Sequence, residues 1–341
     1  MNRILIVRLG SLGDIVHALP AVAALRRAWP DARIDWLVDA QHRELLDLIP
    51  AIDDAVVLRA PTLRGWLDVT RALRAQKYRV AIDLQGLLKS AVLARASGAP
   101  RVVGFSIWHL RERTARPFYS ETAAPDEALH VVRKNLALVA ALGVPAERLE
   151  FPLDARESPA LAHVRRVAGG GPFALVNPGA AWPNKRWPPD RFGALAAILR
   201  HRFGLTPFVL WGPGEEPLAR AVAGASNGTA LVAPRTTISD LVELSRAASL
   251  MISGDTGPIH IAAAVGAPIV GLYGPTSPAR NGPWAPADVC LSRFDACRCH
   301  HRRRCTARAW CLEDITVADV AAAVERRLAR RSAAEPREGE S

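Results

Sequence analysis

Apolar positions along the first half of this chain fall in short unbroken runs, separated by stretches with helical spacing. "RILIVRL" at 3–9 is continuous and rich in β-branched residues, as a strand buried on both faces must be. "RIDWLVD" (33–39), "AVVLR" (55–59), "YRVAIDL" (78–84) and "RVVGF" (101–105) repeat the pattern. Between them, "IVHALPAVAALRRAW", "RGWLDVTRALRAQ" and "LLKSAVLARASG" place apolar residues on one helical face. Pro20 predicts a kink or a late start in the first of these helices. Alternating strand and helix predicts an open α/β unit with a mostly parallel sheet.

A helix over 130–143 closes this set, and the Pro-rich, charged stretch 144–160 reads as linker and hinge. A second alternating set follows, with strands at 173–179, 206–212, 249–254 and 267–274 and helices starting near Pro189, Glu215, Ser239 and Pro258. The expected domains are 1–160 and 161–315, then a last helix over 316–331 and a polar, disordered tail over 332–341. Each strand of the second set runs straight into Gly or Pro-Gly. In parallel sheets ligands bind beyond the carboxyl ends of strands, where helix N-termini converge, so two such domains facing each other would form a binding cleft.

Composition narrows the class. Half of the 341 residues are hydrophobic and 23% are charged, which fits a folded chain. No apolar run approaches the length of a membrane helix and "MNRILIVRLG" lacks a signal peptide's apolar core, so a cytoplasmic protein is expected. The formal charge of +11, carried mainly by Arg, suits an anionic partner: a phosphorylated substrate, nucleic acid or a membrane surface. Nucleic acid is not expected, since the arginines lack interleaved aromatics and no helix-turn-helix pattern is present.

The chemistry-bearing residues gather where strands end. In "ISGDTGPIHIAAAVGAP" (252–268), Asp255 and Thr256 follow a strand, Gly257 permits a tight turn, and Pro258 opens a helix whose amides can seat a phosphate. His260 lies in the same first turn. In "NPGAAWPNKRWP" (177–188), Gly179, Ala180 and Ala181 lack bulk where a ligand would approach, and Lys185 offers a point charge for phosphate. Trp187 suits core or hinge packing. Gly212 and Glu215 end another strand, Glu215 suiting sugar hydroxyls or a helix start equally. In "RLGSLGD" (8–14) neither a dinucleotide nor a P-loop glycine pattern is present. Asp14 there is a carboxylate at a helix start, kept ionised by the dipole and fit to act as a base, or else a cap. Ser11 and Gly13 belong to the same loop. Asp83, Gln85 and Lys89 emerge from another strand end, and Arg59, Arg64, Arg111, Arg113 and Arg116 offer cations for an anionic ligand. The cysteines lie between 290 and 311. Cys297, Cys299, Cys305 and Cys311, with His300 and His301, could hold zinc, but the C-x-C-x5-C-x5-C spacing lacks paired C-x-x-C knuckles, so free thiols and no metal are expected.

Four stretches together, "ILIVRLGSLGDIVHALPAV", "AIDLQGLLKSA", "NPGAAWPNKRWP" and "SGDTGPIHIAAAVGAPIVGLYGPTSP", resemble glycosyltransferase family 9, the ADP-heptose:lipopolysaccharide heptosyltransferases, over nearly the whole chain. The resemblance implies a GT-B fold of two Rossmann-like domains, acceptor on the first and sugar nucleotide on the second, with the final helix crossing back to the first. It implies Asp14 as general base and Lys185 as the partner of the leaving diphosphate. Gly179, Ala180, Ala181, Lys185, Gly212, Glu215, Asp255, Thr256, Gly257 and His260 would hold ADP-L-glycero-β-D-manno-heptose. Ser11, Gly13, Arg59, Arg64, Gln85 and Arg111 would hold a phosphorylated acceptor. The absence of any D-x-D agrees with a metal-independent transferase needing no cofactor.

"AIDLQGLLKSA", "WHLRERTARPFY" and "HVVRKN" are similar to the family's first enzyme, which loads heptose onto the Kdo (3-deoxy-octulosonic acid) of Kdo2-lipid A. "NPGA" and the Cys-rich segment are more similar to the second, which uses another core acceptor. Expected with the first are a monomer and peripheral contact with the anionic cytoplasmic face of the inner membrane. An epimerase of the same two-domain architecture would carry further acids and histidines in the cleft, whereas Asp14 is the only plausible base at the first loop.

Overall fold

The computed structural model describes residues 3–332, which divide into two compact units, 3–154 and 155–332. The division falls inside the expected linker.

The first unit holds strands β1 (Arg3–Val7), β2 (Arg33–Asp39), β3 (Asp54–Leu58), β4 (Val80–Asp83), β5 (Arg101–Phe105) and β6 (Glu121–Ala123). Its helices are α1 (Leu12–Ala28), α2 (Arg43–Leu46), α3 (Leu63–Ala75), α4 (Leu88–Ala96) and α5 (Val131–Ala140). Every strand pair is parallel, in the order β3-β2-β1-β4-β5-β6. Ile4–Val7 and Val80–Ile82 are fully buried, which is why these runs carry no polar alternation.

The second unit repeats the plan. Its strands are β7 (Phe173–Asn177), β8 (Thr206–Val209), β9 (Leu231–Val232), β10 (Leu250–Gly254), β11 (Ile269–Tyr273) and β12 (Val289–Ser292). Its helices are α6 (Pro159–Val167), α7 (Pro189–Phe203), α8 (Glu216–Ala225), α9 (Ile238–Ala247), α10 (Gly257–Ala264), α11 (Pro278–Asn281) and α12 (Val317–Ser332). The parallel order is β12-β11-β10-β7-β8-β9, the same doubly wound arrangement. Strand order reverses between β1 and β4 in one unit and between β7 and β10 in the other. Ligands of such sheets bind at that reversal, beyond the carboxyl ends.

Three features depart from the sequence reading. α1 begins at Leu12 and continues through Pro20. Its residues from Ile15 to Leu25 are buried, and that packing outweighs the roughly 3 kcal/mol an internal proline costs. β6, β9 and β12 were not expected; β6 and β9 are only three and two residues long, and β12 is a half-buried four-residue strand. α6 begins in the last two residues of the expected linker and runs beyond it: Ser158 caps it, its hydroxyl accepting from the Leu161 amide at 3.0 Å and donating to Asp240 at 2.6 Å. α12 packs on α7, β11 and β12 of its own unit. Val320, Ala323 and Val324 are buried in that unit's core with Trp187 and Phe192, and Arg327 pairs with Asp288 at 2.7 Å. This apolar face is thereby satisfied where it lies. The expected tail beyond Ser332 falls outside the described residues.

Candidate active site

In the first unit the site forms where β1 and β4 end. Arg8, the first charge after the buried run, is itself only 9% exposed. Its Nη2 meets Asp14 Oδ1 at 2.8 Å, and its Nη1 donates to the Leu84 carbonyl. Asp14 Oδ2 accepts from the Ser11 amide at 3.2 Å and the Ser11 hydroxyl at 3.0 Å, the carboxylate half of a capping box at the start of α1. Asp14 is therefore a capping residue, and it also stays 38% exposed, so its carboxylate can meet a ligand. Burial pushes its carboxyl up; Arg8, His17 and the two Ser11 hydrogen bonds outweigh this and hold it well below the usual carboxylate range. His42 packs closely over this loop: a Cβ on Gly10 would lie 2.7 Å from its Nε2.

Asp83 has a different job. It is fully buried and accepts from Tyr119 Oη at 2.7 Å, Ser90 Oγ at 2.8 Å, and the Gln85 and Gly86 amides. Burial raises its carboxyl above the ordinary value despite these bonds. The cluster fixes the loop after β4, and Gln85 Oε1 in turn accepts from the Leu9 amide at 2.8 Å. The Gln85 oxygen thereby ties β4's loop to β1's, and the expected acceptor contact would fall to its amide nitrogen. Ser11 and Gly13 lie at the start of α1, beside Asp14. Arg59, Arg64 and Arg111 are exposed, Arg64 standing 3.9 Å from Asp68 on its own helix.

In the second unit, β7 and β10 deliver a buried polar cluster. Asp255, 6% exposed, receives Lys185 Nζ at 2.5 Å on Oδ2, and on Oδ1 His260 Nε2 at 3.2 Å and Asn281 Nδ2 at 2.7 Å. Burial alone would raise its carboxyl; His260 and Lys185 prevail and hold it far below the ordinary range. Lys185 also lies 4.6 Å from the Trp182 ring centre. Its side chain is the more exposed of the pair, so an incoming anion would meet the ammonium first. Asn177 Nδ2 donates to Thr256 Oγ1 at 3.0 Å and Ser253 Oγ at 2.9 Å, locking the residue that caps α10.

Gly179 and Gly212 make room for one carboxylate. A Cβ on Gly179 would stand 2.2 Å from Glu215 Oε2, the same oxygen that accepts from the Gly212 amide at 3.1 Å. Arg186 Nη2 approaches Glu215 at 3.9 Å, while its Nε donates to the buried Ala180 carbonyl at 2.9 Å. Ala181 is exposed. The structure therefore brings Lys185, Asp255 and His260 into direct contact, holds Thr256 beside them through Asn177, and groups Gly179, Gly212 and Glu215. Trp187 is buried, its Nε1 donating to Ile315 O, and it packs edge-on to Phe192. Arg8, Asn177, Asn281 and Arg186 were missed. Arg8 and Asn177 were signalled by being polar at the end of a buried strand run; Asn281 gave no signal.

The five cysteines are free thiols. Cys297 and Cys299 lie with their sulfurs 3.4 Å apart, and Asn184 Nδ2 points at Cys299 Sγ from 3.6 Å. Among the described residues no group of three or more His, Cys, Asp or Glu is arranged to hold a metal ion. Among them, too, no helix is long and apolar enough to cross a membrane.

Known proteins resemble this chain in family and in fold. The family described as glycosyltransferase family 9 (heptosyltransferase) matches residues 66–311. Lipopolysaccharide heptosyltransferase 1 of Pseudomonas aeruginosa is 30% identical over 319 residues, covering 89% of this chain and 87% of the relative. The family 9 glycosyl transferase of Veillonella parvula superposes with a TM-score of 0.81 at 24% identity, over 96% of this chain and 97% of that one. Escherichia coli heptosyltransferase WaaC with ADP-2-deoxy-2-fluoro heptose gives 0.74 at 25% identity, over 95% and 99%.

Proposed function

The chain belongs to glycosyltransferase family 9, and on that premise we propose that it moves L-glycero-D-manno-heptose from ADP-heptose to the Kdo of Kdo2-lipid A with inversion. The observation that carries the reading is Asp14: a part-exposed carboxylate at the carboxyl end of β1, held ionised by Arg8. The names of the P. aeruginosa and E. coli relatives support the donor and the first-enzyme acceptor.

In the proposed step an acceptor hydroxyl oxygen bonds to the anomeric carbon of heptose as the bond from that carbon to the ADP oxygen breaks. The hydroxyl proton passes to Asp14, and ADP leaves with the bonding electrons. Lys185, close to the start of α10, meets the charge growing on the diphosphate. Asp255 keeps Lys185 in place beforehand, so little reorganisation is needed when that charge appears. Glu215, seated over Gly179, suits the sugar hydroxyls. Ser11, Gly13, Arg59, Arg64, Gln85 and Arg111 remain the proposed acceptor side. No metal is required by this scheme, and the protein is proposed to act as a monomer at the cytoplasmic face of the inner membrane.

Product stereochemistry tests the step. From the β-configured donor, NMR of the anomeric proton should report an α-linked heptose, formed equally fast in EDTA. A β-linked product, or loss of turnover on chelation, overturns it. A different acceptor, as for the family's second enzyme, is the alternative that the Cys-rich segment favours.

Arg8 gives a pH prediction. It lowers the Asp14 carboxyl, so Arg8→Met should return that group toward its ordinary value and move the acid limb of the kcat/KM profile to higher pH. An unmoved limb would mean that Asp14 is not the titrating base.

A further inference from the structure

Among the described residues, five of the six exposed large apolar side chains lie in the first unit between residues 63 and 108: Leu63, Leu67, Leu88, Ile107 and Trp108. Leu63 is 79% and Trp108 70% exposed, values that folding would not leave without a reason in so concentrated a group. The topology gathers them. α3 follows β3, α4 follows β4, and the turn at 107–109 follows β5, so each begins at the carboxyl end of its strand. α3 and α4 pack together, with Arg74 Nε donating to the Ala96 carbonyl at 3.0 Å, so their C-terminal ends are level. Counting back from that contact, Leu63 projects about 5 Å, close to one turn, beyond the start of α4. Leu63 and Leu67 are one turn apart on a single helix face. The remaining three are held as one patch: the Leu88 amide donates to Glu112 at 2.8 Å, and the Arg113 guanidinium lies 5.2 Å from the Trp108 ring centre.

Charge is gathered in the same segment. From Arg59 to Arg116 there are twelve Lys and Arg against three Asp and Glu, a net +9 of the chain's +11. Arg59, Arg64, Arg71, Arg111 and Arg113 are exposed. Four of the five apolar side chains are aliphatic, which a nucleic acid has no use for; its bases would need open aromatic faces. Aliphatic side chains flanked by Arg and one Trp match an anionic bilayer surface, where the acyl boundary takes the former and the headgroup layer the latter.

We propose that the carboxyl edge of the first sheet is a bilayer-docking face. Leu63, Leu67, Leu88, Ile107 and Trp108 enter the acyl boundary, and the surrounding arginines meet headgroup phosphates. Asp14 starts α1 at the same edge, so a lipid-anchored acceptor would be presented on the side where its base stands. That purpose rests on the proposed function; the face itself rests on exposure and charge.

The test is flotation with phosphatidylglycerol/phosphatidylethanolamine vesicles and with phosphatidylcholine vesicles, for the wild-type chain and a Leu63→Glu/Trp108→Glu double variant. Wild type should float with the anionic vesicles, weakly with the zwitterionic ones, and less as salt rises. The double variant should bind at least tenfold less, melt like wild type, and keep its turnover on a deacylated, water-soluble acceptor. Equal flotation of the two proteins overturns the proposal. So does failure of the wild type to float, or a lipid-independent self-association that the double variant abolishes. Variant-sensitive flotation by a protein that transfers no heptose would sustain the docking face and sink the proposed function instead.

Discussion

Asp14→Asn should lower turnover about 100-fold or more while leaving ADP-heptose affinity close to that of the wild type. The amide keeps the shape of the carboxylate and can still accept from Ser11, so the start of α1 should persist. What it lacks is the capacity to take a proton as the acceptor hydroxyl attacks. A low ground-state basicity, imposed mainly by Arg8, does not disqualify the carboxylate, because the hydroxyl becomes strongly acidic only as its bond to the anomeric carbon forms. Calorimetric titration with ADP-heptose beside steady-state turnover separates the two effects. Turnover within a fewfold of wild type would remove Asp14 from the chemistry and leave it a helix cap.

Lys185→Ala should weaken donor binding at least tenfold and also destabilise the fold. The ammonium would contribute a charge-assisted contact to the diphosphate, worth about 1.5–3 kcal/mol. Its removal also strips a nearly buried Asp255 of its counter-ion. Breaking such a pair from one side costs about 3 kcal/mol, the low end of the usual range because His260 and Asn281 remain on the other oxygen. The pH dependence follows with a definite sign. Asp255 is depressed in the folded chain, so its contribution is complete above the unfolded carboxylate value near 4 and is lost as pH falls. Without Lys185 the folded value rises, and acid unfolding should begin at a higher pH. Thermal melts from pH 3 to 7 check this; identical acid limbs in both proteins would show that the pair adds no stability.

The fold was legible because parallel strands buried on both faces write themselves as unbroken apolar runs. "RILIV", "FALVN" and "LMISG" need no partner to be recognised. Edge strands such as "ETA" and "LV" carry no such signal, being two or three residues long and half-buried. The site was legible where glycine, proline and a charged residue follow a strand together, as at Asp255–Pro258. It was not legible where a polar side chain acts through the fold. Gln85 reads as a ligand contact, yet its carbonyl oxygen also accepts from the Leu9 amide, a pairing 76 residues apart. Asn281 reaches Asp255 from 26 residues away, off a short helix that no pattern announces.

The most direct test of the account is mass spectrometry of Kdo2-lipid A after incubation with the purified protein and ADP-L-glycero-β-D-manno-heptose. The account predicts a gain of one heptose on the lipid, with ADP released in equal amount. A lipid that gains mass only when it already carries heptose would contradict the acceptor, and no transfer to either lipid would contradict the central claim.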